Sequence, residues 1–174
     1  MNLPTNLKII EGDLLEHAFE HDAIAHGANC HCTMGAGIAK QIRIKFPQME
    51  REDNRTNRIP VEQKIGTFTK ARIGHVTHGY NLYTQIHTGP DFNRMAFAKA
   101  MTGMCLDVVY YDAKTIGLPM IGCGIGGFNE DEFIQMVTGF ALIYPMIEFT
   151  IYKYQPQSKS TDDKAEVPGQ EVAH

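Results

Sequence analysis

Residues 26–42, HGANCHCTMGAGIAKQI, set an imidazole, a carboxamide and two glycines directly ahead of a helix-forming stretch. A glycine run at a helix start lets the backbone come close to a ligand, where unpaired N–H groups and the positive end of the helix dipole suit phosphate oxygens. His26 and Asn29 then face the reactive end of whatever phosphate-bearing ligand that loop holds. A second glycine loop, GCGIGGF at 122–128, also lies between a strand pattern and a helix pattern. In open α/β sheets ligands sit at such crossings, and two loops in one small domain can hold a diphosphate from both sides. Neither loop reads GxGxxG or carries GK[ST], so a dinucleotide fingerprint and a Walker loop are both absent. The residues alone therefore point to a phosphorylated small molecule, with enzyme and binder both open.

The elements that must position these loops are legible as alternating patterns. Residues 7–12 and 22–29 read as strands, the second small and apolar enough to be buried. A helix opens from Gly35, with Ile38, Ile42 and Phe46 on one face, and Pro47 ends it or starts another. Residues 66–74 and 79–85 alternate as strands about a turn at 74–79. After the turn TGPD (88–91), a long helix carries Phe97, Met101, Met104, Cys105 and Val108 at helical spacing, a stripe suited to core filling. TIGLPMIG (115–122) is a strand whose Pro119 belongs near a sheet margin or a strand end. Asn129 caps a helix running to about Ile143, with Glu130, Asp131 and Glu132 in its first turn, and 146–154 is the last strand. Strands alternating with helices predict an α/β domain over 1–154, with a mixed, mostly parallel sheet covered on both faces. Residues 155–174 nearly lack large apolar side chains and read as a disordered tail. The segment 48–65 reads as helix then loop, placed to form a rim that selects an acceptor.

Composition sets outer bounds. The chain has 174 residues, 43% of them hydrophobic and 21% charged, as in ordinary soluble domains. No apolar run approaches the ~20 residues needed to span a bilayer, and the first residues lack a secretory pattern, so a cytoplasmic protein without membrane association is expected. A net charge of −4 is unlike the footprint of a duplex-binding protein. The basic cluster Lys40, Arg43, Lys45, Arg51, Arg55 and Arg58 is diluted by Glu50, Glu52 and Asp53 and reads as a solvated face. Cys30, Cys32, Cys105 and Cys123 form no CxxC pair, and neighbours on an extended chain point apart, so free thiols and no metal are expected.

Three segments together resemble the macro domain family of ADP-ribose-binding modules. IIEGDLL (9–15) is similar to that family's opening strand, AIAHGANCHCTMGAGIAKQI to its Asn-containing strand and first phosphate loop, and LPMIGCGIGGFNEDEF (118–133) to its second loop and helix. The resemblance implies a three-layer α/β/α sandwich with no cofactor, whose ligand is ADP-ribose or ADP-ribosylated protein or nucleic acid. It implies that Asp13, beside Leu14, accepts a hydrogen bond from the adenine amino group. Met34, Gly35, Ala36, Gly37 and Ile38 form one wall for the diphosphate; Gly122, Cys123, Gly124, Ile125, Gly126, Gly127 and Phe128 form the other. Asn29 bonds the distal ribose, Phe128 packs on that ribose or closes the cleft, and Thr84 lines the site.

Within the family, the first loop is closest to the ADP-ribose-1''-phosphate phosphatases and to the terminal ADP-ribose protein glycohydrolases with their bacterial and phage relatives. Both have a histidine matching His26, which implies a general base, or a group that positions an attacking water, with a pKa near the working pH. Two departures matter. Gln85 stands where the glycohydrolase branch has an attacking lysine, and an amide forms no Schiff-type adduct. Gly126 stands where that branch has its catalytic acid. What is left for catalysis is a water-mediated hydrolysis using His26, Asn29 and Gln85, with Asp91 and Glu130 as candidate acids. The alternative is a non-catalytic module or sponge for ADP-ribose or a derived signal nucleotide.

Overall fold

Six strands form one sheet in the order β1-β6-β5-β2-β4-β3, in a computed structural model that describes residues 2–155. The strands are β1 (Leu7–Glu11), β2 (Ala23–Asn29), β3 (Phe68–Arg72), β4 (His78–Gln85), β5 (Thr115–Pro119) and β6 (Glu148–Lys153). Every pairing is parallel except β3 with β4, so the sheet is mixed and mostly parallel, as the alternation predicted. The helices are α1 (Gly37–Lys45), α2 (Pro47–Arg55), α3 (Val61–Lys64), α4 (Arg94–Tyr110) and α5 (Glu130–Ile143), with a short 3-10 turn at Ala18–Glu20. Pro47 starts α2, where its missing N–H costs nothing.

Residues of β2 alternate between two apolar cores because both faces of a parallel sheet are covered. Ala23 and Ala25 pack with Phe97, Met101, Met104, Phe133 and Val137 under α4 and α5. Ile24 packs with Ile42, Phe46 and Met49 under α1 and α2. The helical face set by Ile42 and Phe46, and the methionine stripe, thus do the filling that their spacing foretold. Pro119 ends β5, but β5 lies inside the sheet between β6 and β2, so the strand-end alternative holds and the sheet-margin one does not. A proline there removes no ladder bond that a strand end would need.

The chain leaves β2 toward α1 on one face and leaves neighbouring β5 toward α5 on the other. Adjacent strands whose crossings diverge in this way open a crevice at their carboxyl ends. That crevice is where the two glycine loops stand. The segment 48–65 does not form a rim: it is α2, a turn and α3, packed against the sheet with Met49, Asp53 and Lys64 buried, and none of it lines the crevice. The expected tail lies outside the described residues apart from Gln155, whose side-chain amide donates to Glu11.

Candidate functional site

A cleft of about 680 Å³ occupies the crevice. It is lined by Asp13 and Leu14 at one end, by Met34 to Ile38 along one wall, by Gly122 to Gly126 along the other, and by His26, Asn29, Thr84 and Gln85. The two loops face each other: a methyl group built on Gly37 would stand 3.9 Å from Ile125 Cδ1. The two candidate acids aside, sixteen of the eighteen residues singled out from the sequence meet around one cavity. The two that do not, Gly127 and Phe128, line an adjoining hollow with Phe92, Asn93 and Arg94. There Phe128 stacks on Phe92 at 4.3 Å between ring centres, with the Arg94 guanidinium 5.3 Å over its ring. Aromatic packing has turned that side chain away from the cleft.

The walls are built for an anion from backbone alone. Ala36 precedes α1 and contributes no side-chain cap, so the first-turn N–H groups of this helix remain open. Gly37 holds φ at +53°, a left-handed conformation that glycine adopts at little cost. In the second loop Gly127 N–H bonds to Gly124 O and Phe128 N–H to Gly122 O, closing a tight bend. The N–H groups of Gly124, Ile125 and Gly126 find no carbonyl among the described residues. Charged side chains lining the cleft are Asp13, Glu130 and Lys153, and the last two pair with each other at 2.9 Å. An anion here is met by amide dipoles, not by a free lysine or arginine.

The polar end differs from its sequence expectation. His26 is fully buried, and its Nε2 shares a hydrogen bond of 2.7 Å with Asn81 Oδ1 on the neighbouring strand. Burial holds the imidazole pKa below its ordinary value, against the Asn81 bond that raises it, so the ring is neutral at pH 7 and not poised at the working pH. Its Nδ1 is buried without a hydrogen-bond partner among the described residues, as is Thr84 Oγ1. Thr84 owes its place to a register shift between β2 and β4: Ala28 pairs with Tyr83 and Asn29 with Gln85, leaving Thr84 as the extra residue. Bulges of this kind redirect side chains next to sites.

Asn29 is engaged locally. Its Nδ2 donates to Thr33 O and Oγ1, both at 2.8 Å, and its Oδ1 accepts from the His31 N–H at 3.0 Å. Gln85 Nε2 donates to His87 O at 2.7 Å. Asp13 Oδ1 accepts the Leu15 N–H at 2.8 Å, a turn bond that leaves its second oxygen without a hydrogen bond among the described residues. Cys123 lines the second wall, but burial pushes its thiol up to about 11, which excludes a resting thiolate nucleophile. Of the two candidate acids, Glu130 lines the cleft, whereas Asp91 turns its Oδ2 to the Ile86 and His87 N–H groups and lies in the adjoining hollow. Sequence reasoning missed Tyr152, Lys153 and Tyr154, which also line the cleft. Their signal was their position at the carboxyl end of a parallel strand, where ligands gather.

The model of the Macro domain family matches residues 25–137. A curated relative from Enterobacteria phage T4, described as an uncharacterized 17.5 kDa protein in the tk-vs intergenic region, is 31% identical over 159 residues, covering 86% of this chain and 97% of that one. Among solved structures, the macrodomain of Mycobacterium tuberculosis DarG superposes with a TM-score of 0.70 at 22% identity, covering 84% of this chain and 96% of that chain. Thermosipho africanus DarTG in complex with ADP-ribose gives a TM-score of 0.70 at 16% identity, covering 97% of this chain and 44% of that one.

Proposed function

This chain belongs to the Macro domain family, and from that premise we propose that it binds ADP-ribose, with the diphosphate held between the Met34–Ile38 and Gly122–Gly126 loops. The observation that carries the reading is the pair of facing loops whose N–H groups are unspent and whose glycines leave room for phosphate oxygens. The adenine end lies at Asp13, whose free oxygen suits an exocyclic amino group, and the terminal ribose lies over Asn29, Thr84 and Gln85. The solved relative that contains ADP-ribose supports this choice of ligand.

Calorimetry tests it. ADP-ribose should bind in the micromolar range, on the order of −8 kcal/mol. No binding at millimolar ligand by a folded protein overturns the reading.

A second reading is favoured by one observation, the buried His26 Nδ1 and Thr84 Oγ1 that lack protein hydrogen bonds at the cleft. The His26 Nδ1 suits a held water, and with it hydrolysis of an ADP-ribosyl adduct on a macromolecule or of ADP-ribose-1''-phosphate. A covalent lysine route is not available to Gln85, and the neutral His26 accepts a proton at Nδ1 only while Nε2–H stays donated to Asn81. The panel that tests this presents ADP-ribose-1''-phosphate, ADP-ribosylated protein and ADP-ribosylated DNA, with mass detection of the released group. Turnover lost in His26→Gln supports hydrolysis. Tight binding with no product from any substrate leaves the binding module.

A further inference from the structure

The segment 48–65 and the turn it packs against hold a group of side chains that the cleft does not use. Lys64, at the end of α3, is 1% exposed, and so is Asp53 of α2. The Lys64 ammonium donates to Cys30 O at 3.0 Å, lies 3.6 Å from Asp53 Oδ1 and sits 4.2 Å over the Tyr83 ring. Asp53 Oδ1 also accepts the Tyr83 hydroxyl at 2.7 Å. A buried lysine held this way has no freedom to wander. Its fourth neighbour is Cys32, whose Sγ accepts a hydrogen bond from Nζ at a short 2.8 Å. Cys32 is held on its side by Asp53 O at 3.1 Å and by a backbone φ of +56°, a conformation that a cysteine adopts only under constraint. Unlike Lys64, Cys32 is only partly buried, which leaves this side of the pair open to a small oxidant.

We propose that Lys64 and Cys32 are a modification site, closing into a covalent N–O–S bridge when the protein meets peroxide. The present N···S spacing is already that of two atoms joined through one oxygen. In the first step Cys32 sulfur attacks a peroxide oxygen; an S–O bond forms, the O–O bond breaks, and water leaves with sulfenic acid on the chain. A second peroxide, entering on the partly exposed Cys32 side, transfers oxygen to the adjacent Lys64 amine, which has passed a proton to Asp53, giving the hydroxylamine and a second water. The hydroxylamine oxygen then displaces the sulfenic hydroxyl from sulfur, releasing a third water. One amine, one thiol and two peroxides thus give one bridge and three waters; sulfur and nitrogen lose four electrons and the peroxides gain them. The bridge ties α3 to the Cys30–Thr33 turn, from which the first phosphate loop departs. Reduction by excess thiol reopens it.

The test uses the full chain exposed to hydrogen peroxide without reductant, then digested with trypsin. The expected result is a linked peptide pair carrying Cys32 and Lys64, with a mass gain of one oxygen less two hydrogens and no cleavage after Lys64. Dithiothreitol restores both peptides. Lys64→Arg keeps the positive charge and loses the linked pair, as does Cys32→Ser, whereas Cys30→Ser retains it. If peroxide instead carries Cys32 to sulfinic acid with Lys64 still cleaved, or yields a Cys30–Cys32 disulfide or a linkage lacking the oxygen, the proposal fails. The Cys32→Ser and Cys30→Ser arms keep the test decisive even where a charged change at buried Lys64 prevents folding.

Discussion

The two glycine loops look alike in sequence and use their glycines differently. In the first, Gly35 has open space beside it and Gly37 supplies a left-handed turn into an uncapped helix. In the second, a Cβ on Gly122 would run into the Phe92 ring, and one on Gly126 would lie 2.6 Å from Gly122 O. The helix that follows is already capped: Asn129 Oδ1 accepts the Glu132 N–H at 3.0 Å, and three acids fill its first turn. A helix start so capped and negative offers little to a phosphate. The first loop therefore lends a helix N-terminus to the site, and the second lends only the amides of its own bend. Gly35 marks open space in one, whereas Gly122 and Gly126 mark lack of room for a side chain in the other.

The largest expected break in this comparison comes from Gly37→Glu. It forces a side chain into a left-handed position at the mouth of the first cradle and puts a carboxylate at the proposed place of the diphosphate. ADP-ribose affinity should fall more than about a hundredfold, or roughly 3 kcal/mol, by calorimetry. Circular dichroism should still report a folded chain.

Gly126→Ala probes the tighter loop. Its methyl meets backbone, not a flexible side-chain end, so the bend must shift and its amides with it. Affinity should weaken about tenfold, with the melting temperature lowered by a few degrees, as overpacking of this kind costs on the order of 1–3 kcal/mol. Unchanged affinity would mean that the second loop's amides do not touch the ligand.

Asn129→Ala separates capping from binding. Losing the cap should cost about 1 kcal/mol of stability, seen as a lower urea midpoint. ADP-ribose affinity should not change, since α5 is not lent to the site; a drop would show that both helices serve it. Glu130→Gln makes the same point with charge. It removes a carboxylate from the cleft wall and frees Lys153 from its ion pair, so the anionic ligand should bind about threefold tighter at low salt, with the gain shrinking at high salt.

Where the sequence was legible, local pattern and local chemistry agreed. The buried strand Ala23–Asn29, the α1 face and the Asn129 cap all depend on residues within a few positions of one another. The illegible features depend on distant pairs. The hold on the His26 ring is not legible because Asn81, which bonds it, lies 55 residues away on the adjacent strand. Thr84 reaches the cleft through a register shift that no composition announces. Lys64 and Asp53 sat in a stretch dense with charge, where the ordinary reading is solvent, and only tertiary packing supplied the Tyr83 hydroxyl and the Cys30 carbonyl that make their burial tolerable. Phe128 read as a cleft residue until Phe92 was brought beside it by the turn ahead of α4.

The smallest effect is the one that separates room for a ligand from room for solvent. Gly35 and Gly124 each have nothing within 4 Å of an added Cβ, and neither holds a positive φ. Alanine at either position therefore meets no steric objection from the protein, and removing a glycine from the unfolded chain should stabilise by a few tenths of a kcal/mol or somewhat more. If the space beside them belongs to solvent, both variants should bind ADP-ribose within about twofold of the parent. If a phosphate oxygen packs against the Cα of Gly35, its alanine variant alone should lose affinity several-fold while keeping its raised melting temperature. That split, weaker binding in a more stable protein at Gly35 but not at Gly124, would assign the diphosphate's closest approach to the loop that keeps its helix open.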